Sequence, residues 1–141
     1  MKTVKPRSIL FGCAALAALI LLSAYPRPRV TAAAASPVAP LETRCGWFSN
    51  PTPANIWLYD KDGEWTIGVQ GGYQVESDWD WPDFKKGQWV ETNGHYGYGC
   101  ACMKLSVDKE SGHVLEIESA RARPLAACRK DRALNKWKGN L

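Results

Sequence analysis

Tyr96-Gly97-Tyr98-Gly99-Cys100-Ala101-Cys102-Met103-Lys104-Leu105-Ser106-Val107 is the stretch that decides the fold. Met103, Leu105 and Val107 alternate with Lys104, Ser106 and Asp108. A period of two gives one apolar and one polar face, which is the mark of a half-buried strand. Gly97 and Gly99 predict a bulge or bend, as barrel strands often need. Downstream, Asp108-Lys109-Glu110-Ser111-Gly112 turns the chain into a further strand over 113–119. Upstream, Gln88-Trp89-Val90-Glu91-Thr92 is a strand ended by Asn93-Gly94. Earlier still, Asn55-Ile56-Trp57-Leu58-Tyr59 and Glu64-Trp65-Thr66-Ile67-Gly68-Val69 flank Asp60-Lys61-Asp62-Gly63. Aromatic and β-branched runs on both sides of an Asp-Gly turn predict a hairpin. From Pro124 a short helix is expected, with Leu125 and Cys128 on one face and Leu134 and Trp137 on one face. The pattern predicts an all-β domain: a small barrel or sandwich of five or six strands, compatible with an OB-like barrel. Strand order is not legible in it.

The chain has 141 residues and a formal net charge of +4, from 18 Lys and Arg against 14 Asp and Glu. That charge is unevenly spread. Lys2, Lys5 and Arg7 open the chain, a 16-residue apolar run fills 9–24, and small residues fill 30–36. A basic start, an apolar stretch and a small-residue zone predict a secretory signal peptide over 1–35. Cleavage is expected after Ala32 or Ala35, with a short linker over 36–43 and a disulfide-bridged β domain over 44–137. The alternative is a retained membrane anchor, but 16 helical residues span only about 24 Å of a roughly 30 Å hydrocarbon core. Cys13 weakly mimics a lipidation site, yet the apolar run continues for eleven residues beyond it.

Five cations and no acid precede residue 36, whereas 13 cations and 14 acids follow. The near-neutral mature region predicts no nucleic-acid partner. Contact with a membrane is expected only if the leader is retained. The expected location is periplasmic or secreted.

Beyond the leader lie four cysteines: Cys45, Cys100, Cys102 and Cys128. An even count in a small exported domain predicts two disulfides. Cys100 and Cys102 share a strand face, and a bond between them would close a strained ring. Each is therefore expected to pair outward, one with Cys45 and one with Cys128, contributing roughly 3–4 kcal/mol apiece. Two alternatives use the pair differently. One is a soft-metal site with Cys45, Cys128 or His95. The other is a redox pair, although the Cys-x-x-Cys helix start that lowers a thiol pKa is missing.

The string Arg44-Cys45-Gly46-Trp47-Phe48-Ser49-Asn50-Pro51-Thr52-Pro53 resembles a bacterial family of exported domains of unknown function, the family numbered 4087. The resemblance includes Asp62-Gly63-Glu64-Trp65-Thr66-Ile67, Trp89-Val90, Asn93-Gly94 and Tyr98-Gly99-Cys100-Ala101-Cys102. It continues through Ile117-Glu118-Ser119-Ala120-Arg121 and Pro124-Leu125 to Cys128. It implies export and paired cysteines, and supplies no activity.

All seven tryptophans follow the leader. Trp57, Trp65 and Trp89 lie in strands and are expected in the core. Trp79 and Trp81 alternate with acids in Ser77-Asp78-Trp79-Asp80-Trp81-Pro82-Asp83-Phe84. Aromatic faces beside carboxylates suit stacking on sugar rings or docking a protein partner. A plain alternative packs Trp81 and Phe84 over an open barrel end with the acids solvated. The expected ligand or partner surface is Trp79, Trp81, Asp83, His95, Tyr96 and Tyr98.

No catalytic residue and no metal site is assigned. A glycosidase needs two carboxyl groups of unlike pKa at a set separation, and nothing in the spacing of Asp78, Asp80, Asp83, Glu64, Glu76 and Glu91 selects a pair. The run Asp60-Lys61-Asp62-Gly63-Glu64 echoes a calcium loop, but Gly71 stands where the bidentate Glu is needed. His95 and His113 are read as hydrogen-bonded or exposed histidines. Gly68, Gly71 and Gly72 lack the Lys-Ser/Thr of a phosphate loop. No cofactor is expected. The reading is a non-catalytic binding or accessory module of the cell envelope, with an envelope protein or glycan as partner. The alternatives are a small periplasmic enzyme acting on cell-wall glycan and a metal or redox protein using Cys100 and Cys102.

Overall fold

The computed structural model describes residues 39–141; the leader assigned to 1–35 lies outside them. Six strands form: β1 (Glu42–Thr52), β2 (Asn55–Tyr59), β3 (Glu64–Gly68), β4 (Trp89–Asn93), β5 (Tyr96–Asp108) and β6 (His113–Arg123). A short helix α1 (Leu125–Lys130) and a 3-10 helix (Arg132–Trp137) close the chain. The domain is all-β with a short C-terminal helix.

The strands bond into a ring. β1 pairs with β2, β2 with β3, β3 with β6, β6 with β5, and β5 returns to β1. All of these pairs are antiparallel except β3–β6. This is a small barrel of OB-like kind, five strands around with β4 added outside the ring. β5 is its spine: β1 runs along one side, while β4 covers residues 96–99 of the other and β6 covers 100–108.

The parallel closure is thin, with a single aligned pair, Thr66 and His113. Residues 69–88 compensate as an extended strap. The Val75 amide donates to the Ile67 carbonyl (2.9 Å), and the Ile117 amide donates to Ser77 Oγ (3.1 Å). Tyr73 stacks on His113 at 4.0 Å and donates its hydroxyl to the Val114 carbonyl. Backbone groups that a longer ladder would satisfy thus find partners in the strap.

Two apolar clusters sit on opposite faces of β1 and β5. Phe48, Leu58, Trp65, Ile67, Met103, Leu105 and Val114 fill the barrel. Trp47, Tyr59, Cys100, Leu125, Cys128 and Leu134 form the second cluster, between the outer sheet face and α1. Burying each large side chain contributes roughly 1.5–3 kcal/mol. Trp65 is in the barrel core as expected. Trp57 is half-buried against the outer cluster, and Trp89 is half-buried at the barrel end.

Both cysteines of the Cys-x-Cys pair bond outward. Cys102 joins Cys45 across β1 and β5, and Cys100 joins Cys128 on α1. With both sulfurs bonded, no thiolate is left at the pair for the soft-metal alternative, and Cys100 and Cys102 are not bonded to each other. Two disulfides are compatible with an extracellular or periplasmic location. No helix among the described residues is long and apolar enough to cross a membrane.

Three local expectations change. β1 is an eleven-residue strand that the apolar pattern did not reveal, and it starts at Glu42, inside the stretch read as linker. β6 runs to Arg123 rather than ending at 119. The irregularity near Gly97 lies in β4, where Thr92 is the extra residue. Gly97 and Gly99 serve close approach instead. A Cβ on Gly97 would stand 1.9 Å from the Val90 carbonyl oxygen, and one on Gly99 would stand 2.4 Å from the Phe84 ring.

Candidate functional site: an aromatic cleft at the barrel end

Residues 73–80 of the strap alternate strictly between half-buried and exposed. Tyr73, Val75, Ser77 and Trp79 face the barrel, while Gln74, Glu76, Asp78 and Asp80 face water. The strap then delivers Trp81 and Phe84 onto Phe48 of β1. Trp81 meets Phe48 edge-on at 5.2 Å, and Phe84 lies 6.0 Å from it. Trp79 stacks on Trp81, 13° from parallel at 5.7 Å. Phe84 enters because Gly99 offers no Cβ, and it packs on Trp89 at 5.0 Å. Offset and edge-on pairs of this kind are favourable beyond their buried area.

The β4–β5 hairpin supplies the other wall. Gly94 takes a φ of 58°, a left-handed conformation that costs glycine little, and lifts His95 out of the turn. His95 stacks on Tyr96 at 4.2 Å, and Trp89 donates its Nε1–H to the His95 carbonyl at 3.2 Å. The result is a cleft of about 420 Å³ lined by Asn50, Trp81, Phe84, Trp89, His95 and Tyr96. Trp81 is 48% exposed, although Phe48 meets it edge-on and Trp79 stacks on it.

Of the six surface residues expected from sequence, Trp81, His95 and Tyr96 line this cleft. Trp79 supports Trp81 from behind. Asp83 is solvent-exposed and pairs with Lys85. Tyr98 faces the other way, edge-on to Trp47 at 5.5 Å in the outer cluster. Asn50, Phe84 and Trp89 join the cleft without having been assigned to a surface. For Phe84 the sequence signal was the glycine at 99, which marks a ring packed on the backbone.

A separate polar group closes the opposite turn. Arg44 is 5% exposed and bonds Asp60 Oδ2 and Glu42 Oε1, both at 2.6 Å, with its guanidinium 4.3 Å from the Trp65 ring centre. Burial alone would lower the Arg44 pKa. The hydrogen bonds to Asp60 and Glu42 outweigh it and hold the group above its ordinary value. Asp60 Oδ1 accepts from the Asp62 and Gly63 amides at 2.7 and 2.8 Å. The carboxylate is thus consumed by a turn and an ion pair, as the turn reading of 60–64 expects. Among the described residues, no group of three or more His, Cys, Asp or Glu stands where it could hold a metal ion.

Residues 39–135 match the family described as "Protein of unknown function (DUF4087)". The chain belongs to this family. No curated protein and no solved structure shows a significant match. The DUF4087 region spans all six strands, α1, both disulfides and every residue lining the cleft.

Proposed function

We propose that this DUF4087 protein is a non-catalytic binding module of the bacterial cell envelope, exported by residues 1–35, whose aromatic cleft takes a sugar ring of a glycan. One observation carries the reading. Trp81 presents a half-exposed ring over a cleft whose other walls are Phe84, Trp89, His95 and Tyr96. A flat apolar face suits the C–H face of a pyranose, and polar tips at the rim suit its hydroxyls. Trp79 and Phe48 hold the ring in place, so little side-chain freedom is lost on binding. Among the described residues lining the cleft, none is Asp or Glu. The cleft wall itself thus offers no carboxylate pair of the kind a glycosidase uses.

The test uses protein recovered after export in a bacterium, whose intact mass should begin at Ala33 or Ser36. Titrating soluble β-1,4-linked amino-sugar oligosaccharides should change the tryptophan fluorescence. Trp81→Ala should weaken binding about tenfold, a loss near 1.4 kcal/mol, with the melting temperature little changed. Unfolding of Trp81→Ala would show that the ring is core and defeat the reading. So would turnover of the oligosaccharide that a single Asp or Glu variant abolishes.

A further inference from the structure

We propose a second site, an anion-binding groove for a phosphate-bearing ligand, on the outer face of β1, β5 and β6. It stands on residues that the aromatic cleft does not use and does not rest on the glycan reading. Its source is the run Ser119-Ala120-Arg121-Ala122-Arg123 at the end of β6. Ala120 packs on the barrel core, so Ser119, Arg121 and Arg123 point outward together. The register then sets them in rows. Thr43, Lys104 and Ser119 align across the three strands, and Cys45, Cys102 and Arg121 align beside them. A groove of about 410 Å³ follows, lined by Thr43, Cys102, Lys104, Ser119, Arg121 and Arg123 among others. The Cys45–Cys102 bridge, with Cα atoms 4.0 Å apart, ties its floor.

The charges select the ligand. Lys104 is engaged by Glu118 at 2.5 Å. Among the described residues, Arg121 and Arg123 make no ion pair and no side-chain hydrogen bond, and both are exposed. Asp131 borders Arg123 in the adjoining hollow and caps the 3-10 helix at the Ala133 amide. That places the bound charge at the Arg121 end. Two unpaired guanidinium groups match the charge of a phosphate monoester, near −2 at neutral pH. Planar guanidinium forks suit paired phosphate oxygens, and the Thr43 and Ser119 hydroxyls can serve the remaining lone pairs. The field of the whole C-terminal region agrees. Residues 119–141 hold seven cations and one acid. Such an excess attracts anions toward this end of the chain.

The experiment titrates inorganic pyrophosphate into the exported, isotopically labelled protein and follows its backbone amide and arginine Nε–H resonances. Expected are shifts confined to β1 around Thr43, to β5 and β6, and to the Arg121 and Arg123 side chains. Added salt should weaken the binding. Arg121→Gln with Arg123→Gln should weaken it at least tenfold, whereas Lys85→Gln with Lys86→Gln on the strap should leave it unchanged. Arg121→Lys keeps the charge and loses the fork, so a severalfold loss is expected there even if the double variant folds poorly. Cosedimentation with phosphatidylglycerol vesicles but not phosphatidylcholine vesicles would place the phosphate on a lipid; pyrophosphate binding without vesicle binding would place it on a soluble ligand. Shifts spread over all lysines and arginines, or equal pyrophosphate affinity in the wild type and the Arg121/Arg123 double variant, would overturn the site.

Discussion

Asp60 joins two structures with one carboxylate. Oδ1 makes the turn between β2 and β3, and Oδ2 neutralises Arg44, whose side chain is 5% exposed. Glu42 and Asp62 also contact Arg44 but are 41% and 49% exposed, so removing Asp60 takes away its buried counter-charge, a loss of at most about 3–5 kcal/mol. Asp60→Ala should therefore lower the urea midpoint strongly. Asp60→Asn retains the acceptor for the turn and loses the ion pair, so its midpoint should fall between those of the wild type and Asp60→Ala. Equal midpoints for wild type and Asp60→Asn would show that the ion pair adds nothing to the turn. The turn itself was legible, because Asp-Gly between two aromatic runs is a local pattern. The second role of Asp60 was not, because Arg44 lies 16 residues away and reaches it only through the β1–β2 register.

At the scale of elements, legibility follows how many faces a strand buries. β5 was visible because Lys104 breaks its apolar residues into a period of two. β1 was hidden because Gly46, Trp47, Phe48, Ser49 and Asn50 are all buried, Phe48 in the barrel and Trp47 in the outer cluster. A strand covered on both faces shows no polar alternation. The strap reverses this: residues 73–80 alternate, yet they form only an isolated bridge at Gln74. The two disulfides differ in access. Cys45 is exposed and Cys102 half-buried, while Cys100 and Cys128 are 2% and 3% exposed. Exchange requires a thiolate to reach a sulfur. Mild dithiothreitol followed by alkylation and mass spectrometry should find Cys45 and Cys102 labelled first. Earlier labelling of Cys100 and Cys128 would mean that α1 lifts readily from the sheet.

The whole molecule depends on its C-terminal region closing over the outer face. Trp137 packs on Tyr59 at 5.1 Å and donates its indole N–H to the Asp60 carbonyl at 2.7 Å. Burial, with a smaller push from Glu64, raises the Tyr59 pKa to about 12. An unfolded tyrosine ionises near pH 10, so between pH 10 and 12 the unfolded state loses a proton that the folded state keeps. Stability should be unaffected by this group below pH 10 and should fall as pH rises toward 12, by at most about 2–3 kcal/mol. Urea midpoints at pH 8 and 11, with phenolate absorbance at 295 nm, check it. If every tyrosine ionises near pH 10 with the fold intact, Tyr59 is not enclosed. The sequence by itself determined the all-β class, the four cysteines that follow residue 36 and the split between a basic first 35 residues and a near-neutral remainder. These are properties of composition and short-range periodicity. The tertiary structure decided which cysteines pair, which tryptophans stay exposed and which arginines share a groove. Each of those depends on register and ring closure, which place residues dozens of positions apart side by side.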